Sequence, residues 1–331
     1  MTRDFCTYFD ARYLARGLAL VSSLHRHCPD HRLWVLCLDD DCYAALQRLA
    51  VANLVPIRLE DFERGDAALQ AAKRNRSLFE YYFTCTPSLP LFILRRDPTV
   101  NLLTYLDADL FFFHDPEPIF EEIGAASIAI VPHRFPASKR HFERYGIFNV
   151  GWLTFRRDAA GLACLEWWRR QCLDWCFDRD EPGRFADQKY LDDWPVRFPG
   201  VHVIGHAGAN LASWNLLNHR LAERNGHVWV DDQPLLFFHF HHLKRQRSWL
   251  FETDLDVHGV TPDRVLKEHV YTPYCRLLAE KASVVDCPIA KSDAAATSVG
   301  PRGNSGRIGL LTLARKVVAG HLLVYVGGRV R

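Results

Sequence analysis

The stretch "NLLTYLDADLFFF", residues 101–113, places two carboxylates inside an otherwise apolar run. Its first half is typical of a buried strand, and Asp107 and Asp109 come where that strand ends. An unpaired carboxylate is costly to bury unless a cation compensates its charge. If the backbone stays extended, the two carboxylates share one face and Ala108 points away. Solvated loops also contain such pairs, but apolar residues flank this one on both sides, so the stretch predicts a site for Mn²⁺ or Mg²⁺.

Strands and helical patterns alternate on the amino-terminal side of this stretch. "DFCTYF", "RLWVLCL" and "NLVPIRL" predict strands, and "YLARGLALVSSLHRH" and "DDDCYAALQRLA" between them predict helices. A helical segment over residues 76–96 follows, and we expect Pro87 and Pro90 to break or kink it. This order predicts an α/β, Rossmann-like fold with a mainly parallel sheet flanked by helices. Such sheets bind ligands at the carboxyl ends of their strands, where the acidic pair falls.

Composition narrows the class of protein. The chain has 331 residues, 48% apolar and 24% charged, as expected for a soluble globular protein. A net charge of +2 without a basic stripe argues against nucleic acid as a partner. The amino terminus lacks the apolar segment of a signal peptide, so we expect a cytoplasmic protein. The ten cysteines form no CxxC pair, and we interpret them as small buried hydrophobic residues in a reduced compartment.

Histidine and basic residues supply further candidates. In "LLFFHFHHLKRQR", His239 and His241 would share one face of a strand, and imidazole binds metals such as Mn²⁺ alongside carboxylates. The alternative is a histidine-rich strand end satisfied by the backbone and water. Lys244 follows, and Lys73 and Arg76 lie before the acidic pair, where all three could meet phosphate oxygens. For Lys73 and Arg76 a solvated helix start is the alternative.

Two more short motifs carry polar side chains. In "FNVG", Asn149 offers both a donor and an acceptor, and Gly151 allows close approach to the backbone. A turn before a strand is the alternative. In "GRFADQKYLDDWP", Asp187 and Gln188 open a helix-like stretch. The alternative is an ordinary charged helix start, which is common.

The order of these motifs resembles that of a known enzyme family. An amino-terminal strand with Thr7 and a helix start with Tyr13, Arg16 and Gly17 precede "YLDAD", "FNVG", "DQ" and "HF". This set is similar to the nucleotide-sugar glycosyltransferases of GT-A fold, specifically the bacterial branch of family 8. That family includes glycogenin-like and lipopolysaccharide galactosyltransferase-like enzymes. The match covers roughly residues 4–250.

The resemblance implies a site and a reaction. Asp107, Asp109 and His239 would hold a divalent metal, usually Mn²⁺, that bridges the donor diphosphate. Asp187 and Gln188 would lie at the reacting face. The donor-binding positions that it implies are Thr7, Tyr8, Tyr13, Arg16, Lys73, Arg76, Asp107, Ala108, Asn149, Gly151 and Lys244. The family usually has a Gly and then Lys-Pro-Trp after the His-Phe pair; here the chain reads "HFHHLKRQ", so His241 competes with His239 as ligand.

The implied activity is sugar transfer from a nucleotide-diphosphate sugar, expected to be a UDP-sugar, with retention of anomeric configuration. The acceptor is a glycan, a lipid-linked molecule or a protein. A double displacement would make Asp187 the nucleophile, whereas front-face attack would need none. One alternative is a non-catalytic relative that binds sugar nucleotides. A nucleotidyltransferase is another, but "FDARYLARG" lacks the usual Gly-rich loop.

The carboxyl-terminal part differs from the body. After a domain over residues 1–281, the small polar residues of 282–307 predict a flexible linker. Residues 308–331 form a basic tail, and no acidic residue follows Asp293. The spacing predicts an amphipathic helix through Leu322. One hypothesis is a peripheral contact with anionic lipid at the inner face of the membrane, and the other is packing on the body or on a partner protein.

Overall fold

A computed structural model describes residues 2–284, 316 and 321–331. Its strands are β1 (Arg3–Phe9), β2 (His31–Cys37), β3 (Leu54–Arg58), β4 (Leu102–Leu106), β5 (Leu110–Phe112), β6 (Ile128–Pro132), β7 (Phe148–Arg156), β8 (Val201–Val203), β9 (Leu211–Ala212), β10 (Leu221–Arg224), β11 (His227–Val230), β12 (Gln233–Pro234), β13 (Phe237–His239), β14 (Lys244–Arg247), β15 (Leu250–Glu252), β16 (Leu322–Val326) and β17 (Arg329–Val330). Its α-helices are α1 (Leu14–His27), α2 (Asp40–Leu49), α3 (Leu59–Glu63), α4 (Ala67–Asn75), α5 (Leu78–Arg96), α6 (Glu117–Ile123), α7 (Ala159–Asp174), α8 (Trp194–Arg197) and α9 (Thr272–Val284).

Seven strands form the central sheet, in the order β3-β2-β1-β4-β7-β6-β8. Strand β4 pairs parallel with β1 and antiparallel with β7, and β7 is the one strand of this sheet that runs against the others. The predicted α/β fold with a mainly parallel sheet is therefore confirmed. Because β4 lies fourth of the seven strands, the acidic pair that follows it lies at the centre of the carboxyl edge.

Alternate residues of the strands supply two separate cores, one on each face of the sheet. Phe5 packs with residues of α1, α2 and α6, whereas its neighbour Cys6 packs with residues of α5 and α7. The largest fully buried side chains are Trp152 in the first core and both Trp168 and Trp194 in the second. The nine described cysteines are all buried and free, as we predicted. Burial on both sheet faces requires helices on both sides, which the observed layers provide.

Helix α5 corrects the prediction of a break at Pro87 and Pro90. It continues without interruption through Pro87 and Pro90, both of which are buried. A capping box between Ser77 and Glu80 begins the helix, and its inner residues pack against α7. Tertiary packing of a buried helix outweighs the two hydrogen bonds that the prolines remove.

The end of the chain corrects a second prediction. Residues 322–326 form strand β16, which pairs with β15, so the predicted helix is wrong at its last residue, Leu322. Leu323 is fully buried in a third core together with Tyr274 of α9. Most of the predicted linker and the first part of the predicted tail lie outside the described residues, and the membrane contact stays a prediction. Among the described helices, none is both long and apolar enough to span a bilayer.

Candidate active site

The acidic pair lies on a turn that connects β4 to β5. Strand β4 ends at Leu106, the Asp107 N–H donates to the Gly151 carbonyl at 3.1 Å, and the Leu110 N–H donates back to the Asp107 carbonyl at 3.2 Å. The backbone is therefore not extended through Asp109, which was the condition for strand alternation to put both carboxylates on one face. The turn, and not strand alternation, brings both carboxylates to one side.

Pairing between β5 and β13 brings His239 to these carboxylates. His239 lies opposite Leu110 in the antiparallel register. Its Nε2 atom is 3.1 Å from Asp109 Oδ1 and 3.6 Å from Asp107 Oδ2. The Phe240 N–H donates to the Asp109 carbonyl at 3.0 Å and fixes the two segments together. Three residues that the sequence predicts as metal ligands are thus in contact.

Asn149 supports His239 from the other side. Asn149 Oδ1 accepts from the Gly151 N–H at 3.0 Å and from His239 Nδ1 at 3.2 Å. A Cβ atom at Gly151 would lie 2.6 Å from that oxygen and 2.9 Å from His239 Nδ1. Because the amide oxygen can only accept, Nδ1 carries a proton, and Nε2 on the carboxylate side is the ring nitrogen left for a cation. Asn149 and Gly151, predicted along the donor, lie behind the histidine.

The charges of this cluster are coupled. Burial raises the pKa of Asp107 to about 6, with Asp109 adding to the rise, while His239 and the Tyr105 hydroxyl oppose it. Burial would also raise the pKa of Asp109, but the charge and hydrogen bond of His239 outweigh it and lower that pKa. The His239 pKa is raised because the two carboxylates outweigh its burial. Two buried carboxylates against one imidazole favour an added cation.

The donor set fits a divalent metal ion. His239 Nε2 is buried and lacks a well-formed hydrogen bond despite its proximity to Asp109. Single ligand atoms of Asp109, His239 and His241 lie within 4.8 Å of one another. Carboxylate oxygens and imidazole nitrogens are ligands that Mn²⁺ accepts. A buried imidazole nitrogen that lacks a hydrogen-bond partner beside two carboxylates fits the ligand set of a metal ion.

Asp187 and Gln188 lie beside this cluster. Asp187 is buried, and burial raises its pKa to about 7, with a hydrogen bond to Thr86 opposing and the charge of Asp107 adding to the rise. Asn149 Nδ2 donates to Gln188 Oε1 at 3.4 Å, so the two motifs "FNVG" and "DQ" meet. Ala186, just before Asp187, has a φ of 46°, which non-glycine residues rarely adopt. Such local strain is common at functional sites.

Two donor-binding candidates on β1, Thr7 and Tyr8, are buried to different degrees. The Tyr8 hydroxyl is 3.0 Å from Thr86 Oγ1, and burial together with the charges of Asp187 and Asp107 raises the Tyr8 pKa. Thr7 is fully buried in β1, and its hydroxyl lacks a hydrogen-bond partner.

Arg16 connects helix α1 to the histidine segment. Its Nη2 atom donates to the Leu243 carbonyl at 2.8 Å, and its guanidinium lies 4.3 Å from the Tyr13 ring centroid. Burial raises the Asp109 pKa, and the charge of Arg16 adds to the opposing, lowering effect of His239 and His241. Arg16 therefore adds positive charge to the same cluster.

The other basic candidates contact the protein itself. Lys73 forms an ion pair of 2.7 Å with Glu63. Arg76 donates to the Cys172 and Leu173 carbonyls at 2.6 Å each, at the carboxyl end of α7. These contacts satisfy carbonyls that the helix leaves unpaired. Lys244 begins β14, directly after the histidine segment. A phosphate role for these three residues stays a prediction.

Sequence reasoning missed several neighbours of the site. The Tyr105 hydroxyl donates to Asp107 Oδ1 at 2.9 Å. Trp214 packs edge-on against both His239 and His241, with ring centroids 5.2 and 5.7 Å apart. His133 Nε2 lies 3.2 Å from Asn149 Nδ2. Only Tyr105 had a local signal, since it lies two residues before Asp107 on a strand; the others arrive through long-range contacts.

The fold of this chain is similar to that of a solved galactosyltransferase. No protein-family model matches the chain. The galactosyltransferase LgtC, solved in complex with donor and acceptor sugar analogs, is structurally similar, with a TM-score of 0.50 and 15% identity. The similarity covers 86% of this chain and 96% of LgtC. At this identity it establishes the fold, which is GT-A.

Two sequence relatives come from Bacillus subtilis (strain 168). "Uncharacterized protein YfnD" is 33% identical over 242 residues, which cover 72% of this chain and 77% of YfnD. "Uncharacterized protein YfnF" is 34% identical over 250 residues, covering 72% of this chain and 81% of YfnF. Identity of this level over most of each protein shows common descent, so the chain belongs to the family of YfnD and YfnF.

Proposed function

We propose that this protein is a metal-dependent glycosyltransferase that uses a nucleotide-diphosphate sugar, most simply a UDP-sugar. The acceptor is a glycan, a lipid-linked molecule or a protein, and the sugar is transferred with retention. LgtC supports the proposal, because a galactosyltransferase of the same fold was solved with donor and acceptor sugar analogs. The residues expected to hold Mn²⁺ or Mg²⁺ are Asp107, Asp109 and His239.

One observation carries the proposal. At the centre of the carboxyl edge of the sheet, the unsatisfied Nε2 of His239 lies within 3.6 Å of both carboxylates of the acidic pair. This edge is where open α/β sheets bind nucleotides. A cation held there would neutralise charge on the diphosphate as it leaves the sugar.

The chain's own groups would act on the sugar. Asp187 offers a carboxylate and Gln188 an amide oxygen, either of which can stabilise positive charge at the anomeric carbon. The Gln188 amide is oriented, since its Nε2 donates to the Tyr145 carbonyl at 3.1 Å. Asp187 as a covalent nucleophile and front-face attack without one are both compatible with its position. Asp187 is buried, and a carboxylate with little hydration is more reactive in its ionised form.

Donor turnover tests the proposal. Purified protein is incubated with Mn²⁺ and a panel of nucleotide sugars, and release of nucleotide diphosphate is measured with and without EDTA. We expect release from at least one donor, its loss in EDTA, and a drop of about 100-fold or more in Asp187→Ala. Metal-dependent donor binding without any release would instead indicate the non-catalytic alternative. Near-wild-type release by Asp187→Ala would exclude its proposed role.

A further inference from the structure

We infer that His241 is an additional ligand of the metal ion, so that the protein holds a transition-metal cation before any donor binds. The inference rests on the proposed function for the existence of the metal site, but it adds a residue and a selectivity. Ligand atoms of His241, His239 and Asp109 lie within 4.8 Å of one another, and Asp107 Oδ2 lies 3.6 Å from His239.

The backbone between the two histidines is fixed from both sides. Phe240 donates its N–H to the Asp109 carbonyl at 3.0 Å, and its ring stacks on Tyr274 with centroids 3.8 Å apart. With Phe240 held in the core, His239 and His241 project toward the acidic pair on the opposite side, as their common cluster with Asp109 shows. The position of His241 therefore follows from core packing.

The turn after His241 is also constrained. His242 has a φ of 58°, an unfavourable conformation for a non-glycine residue. The Leu243 N–H donates to the Phe240 carbonyl at 3.2 Å, and Arg16 donates to the Leu243 carbonyl at 2.8 Å. Trp214 makes edge-to-face ring contacts with both His239 and His241. A strained conformation of this kind persists only where surrounding contacts hold it. Here the same contacts hold the backbone on both sides of His241.

The ligand chemistry predicts which cation the site selects. Mg²⁺ prefers oxygen ligands and retains several waters, so a pair of imidazoles disfavours it. Two imidazoles with one or two carboxylates suit Mn²⁺, Fe²⁺, Co²⁺ or Zn²⁺. Each additional protein ligand also leaves one coordination position fewer for the nucleotide to fill. We therefore expect cation binding without donor, and discrimination against Mg²⁺.

Donor-free Mn²⁺ titration tests the inference, with free Mn²⁺ followed by electron paramagnetic resonance. The matched variants are His241→Asn and His242→Asn, because asparagine tolerates the left-handed backbone at His242 and the two positions are adjacent. We expect His241→Asn to bind Mn²⁺ at least tenfold more weakly, and His242→Asn to bind like the wild type. His241→Asp, which restores a ligand atom, should recover part of the loss. Mg²⁺ in hundredfold excess should leave most Mn²⁺ bound to the wild type.

Two outcomes would overturn the inference. One is equal Mn²⁺ affinity of His241→Asn and the wild type. The other is a wild type that binds no Mn²⁺ until a donor is added. Donor turnover measured in parallel separates these results from failure of the proposed function, since metal-dependent turnover that is unchanged in His241→Asn leaves that function intact.

Discussion

His239 and Asn149 are joined by a hydrogen bond of 3.2 Å between the imidazole Nδ1 and the amide Oδ1. The same amide oxygen accepts the Gly151 N–H, so one side chain orients the histidine and holds the end of its own strand. The "FNVG" motif thus supports the candidate metal site from behind. Because the hydrogen bond fixes the tautomer of the ring, it determines which nitrogen is available to a cation.

Replacing Asn149 by alanine should weaken Mn²⁺ binding about 10- to 100-fold, the usual effect of removing a partner of a metal-binding histidine. Asn149→Asp retains an acceptor for His239 Nδ1 and should lose less. Asn101→Ala, an exposed asparagine before β4, is the matched control and should bind like the wild type. Isothermal titration with Mn²⁺ measures all three variants. Equal losses in the alanine and aspartate variants would contradict the orienting role of the amide.

Gly151→Ala should disturb the same arrangement by steric overlap. The added Cβ would lie 2.6 Å from Asn149 Oδ1 and 2.9 Å from His239 Nδ1, closer than unbonded atoms allow. We expect a loss of about 1–3 kcal/mol in the free energy of unfolding and weaker Mn²⁺ binding. At Gly205, a Cβ would meet only the Glu122 carboxylate at 3.2 Å, the end of a long side chain, which makes Gly205→Ala the control. Denaturant unfolding compares the two, and similar stabilities would count against the overlap.

Asp187 should make the metal-free protein less stable as the pH rises. Its pKa is about 7 in the folded state because burial disfavours the charge, and it is lower when the chain is unfolded. Between about pH 4 and pH 7 the folded state therefore holds one more proton, so stability falls with rising pH. Asp187→Asn removes this titration. It should unfold at a higher temperature than the wild type at pH 8, while losing turnover, and the gap should close near pH 4. A gap that is independent of pH would show that Asp187 does not cause it.

The end of the chain should contribute to stability through strand β16. Leu323 is fully buried, whereas Val326 on the same strand is 53% exposed. Leu323→Ala should lower the free energy of unfolding by about 2–5 kcal/mol, and Val326→Ala by less than about 0.5 kcal/mol. Urea unfolding curves give both values. If the two variants unfold alike, residues 321–331 do not pack as described.

The sequence predicts the layered fold because its signals are local. Apolar runs alternate with helical periodicity, and Asp158 begins α7 by accepting the Gly161 N–H at 2.8 Å, as expected of a helix cap. The acidic pair was found for the same reason, since two carboxylates at a strand end are visible without any partner. The arrangement of the two carboxylates could not be predicted, because the turn depends on β5 pairing with a strand that lies more than 120 residues later.

Long-range contacts also explain the remaining differences. Arg76 has a side chain that commonly binds phosphate, but it donates to carbonyls of α7 that lie 96 and 97 residues away in sequence. Leu322 fits the predicted helical pattern, yet it begins a strand in a sheet whose other strands also follow the histidine segment. No local pattern distinguishes these outcomes, because strand pairing depends on which partner the fold brings near.

Linkage between metal and donor tests the central claim most directly. Thermal unfolding is followed for the wild type and Asp109→Asn across a panel of nucleotide sugars, each with Mn²⁺ and with EDTA. Donor at about 100 times its Kd should stabilise the wild type by about 2.7 kcal/mol, a shift of several degrees, with Mn²⁺ present. The shift should vanish in EDTA and in Asp109→Asn. A panel that never shifts the wild type, or that shifts both proteins equally, would contradict a metal-dependent nucleotide-sugar site.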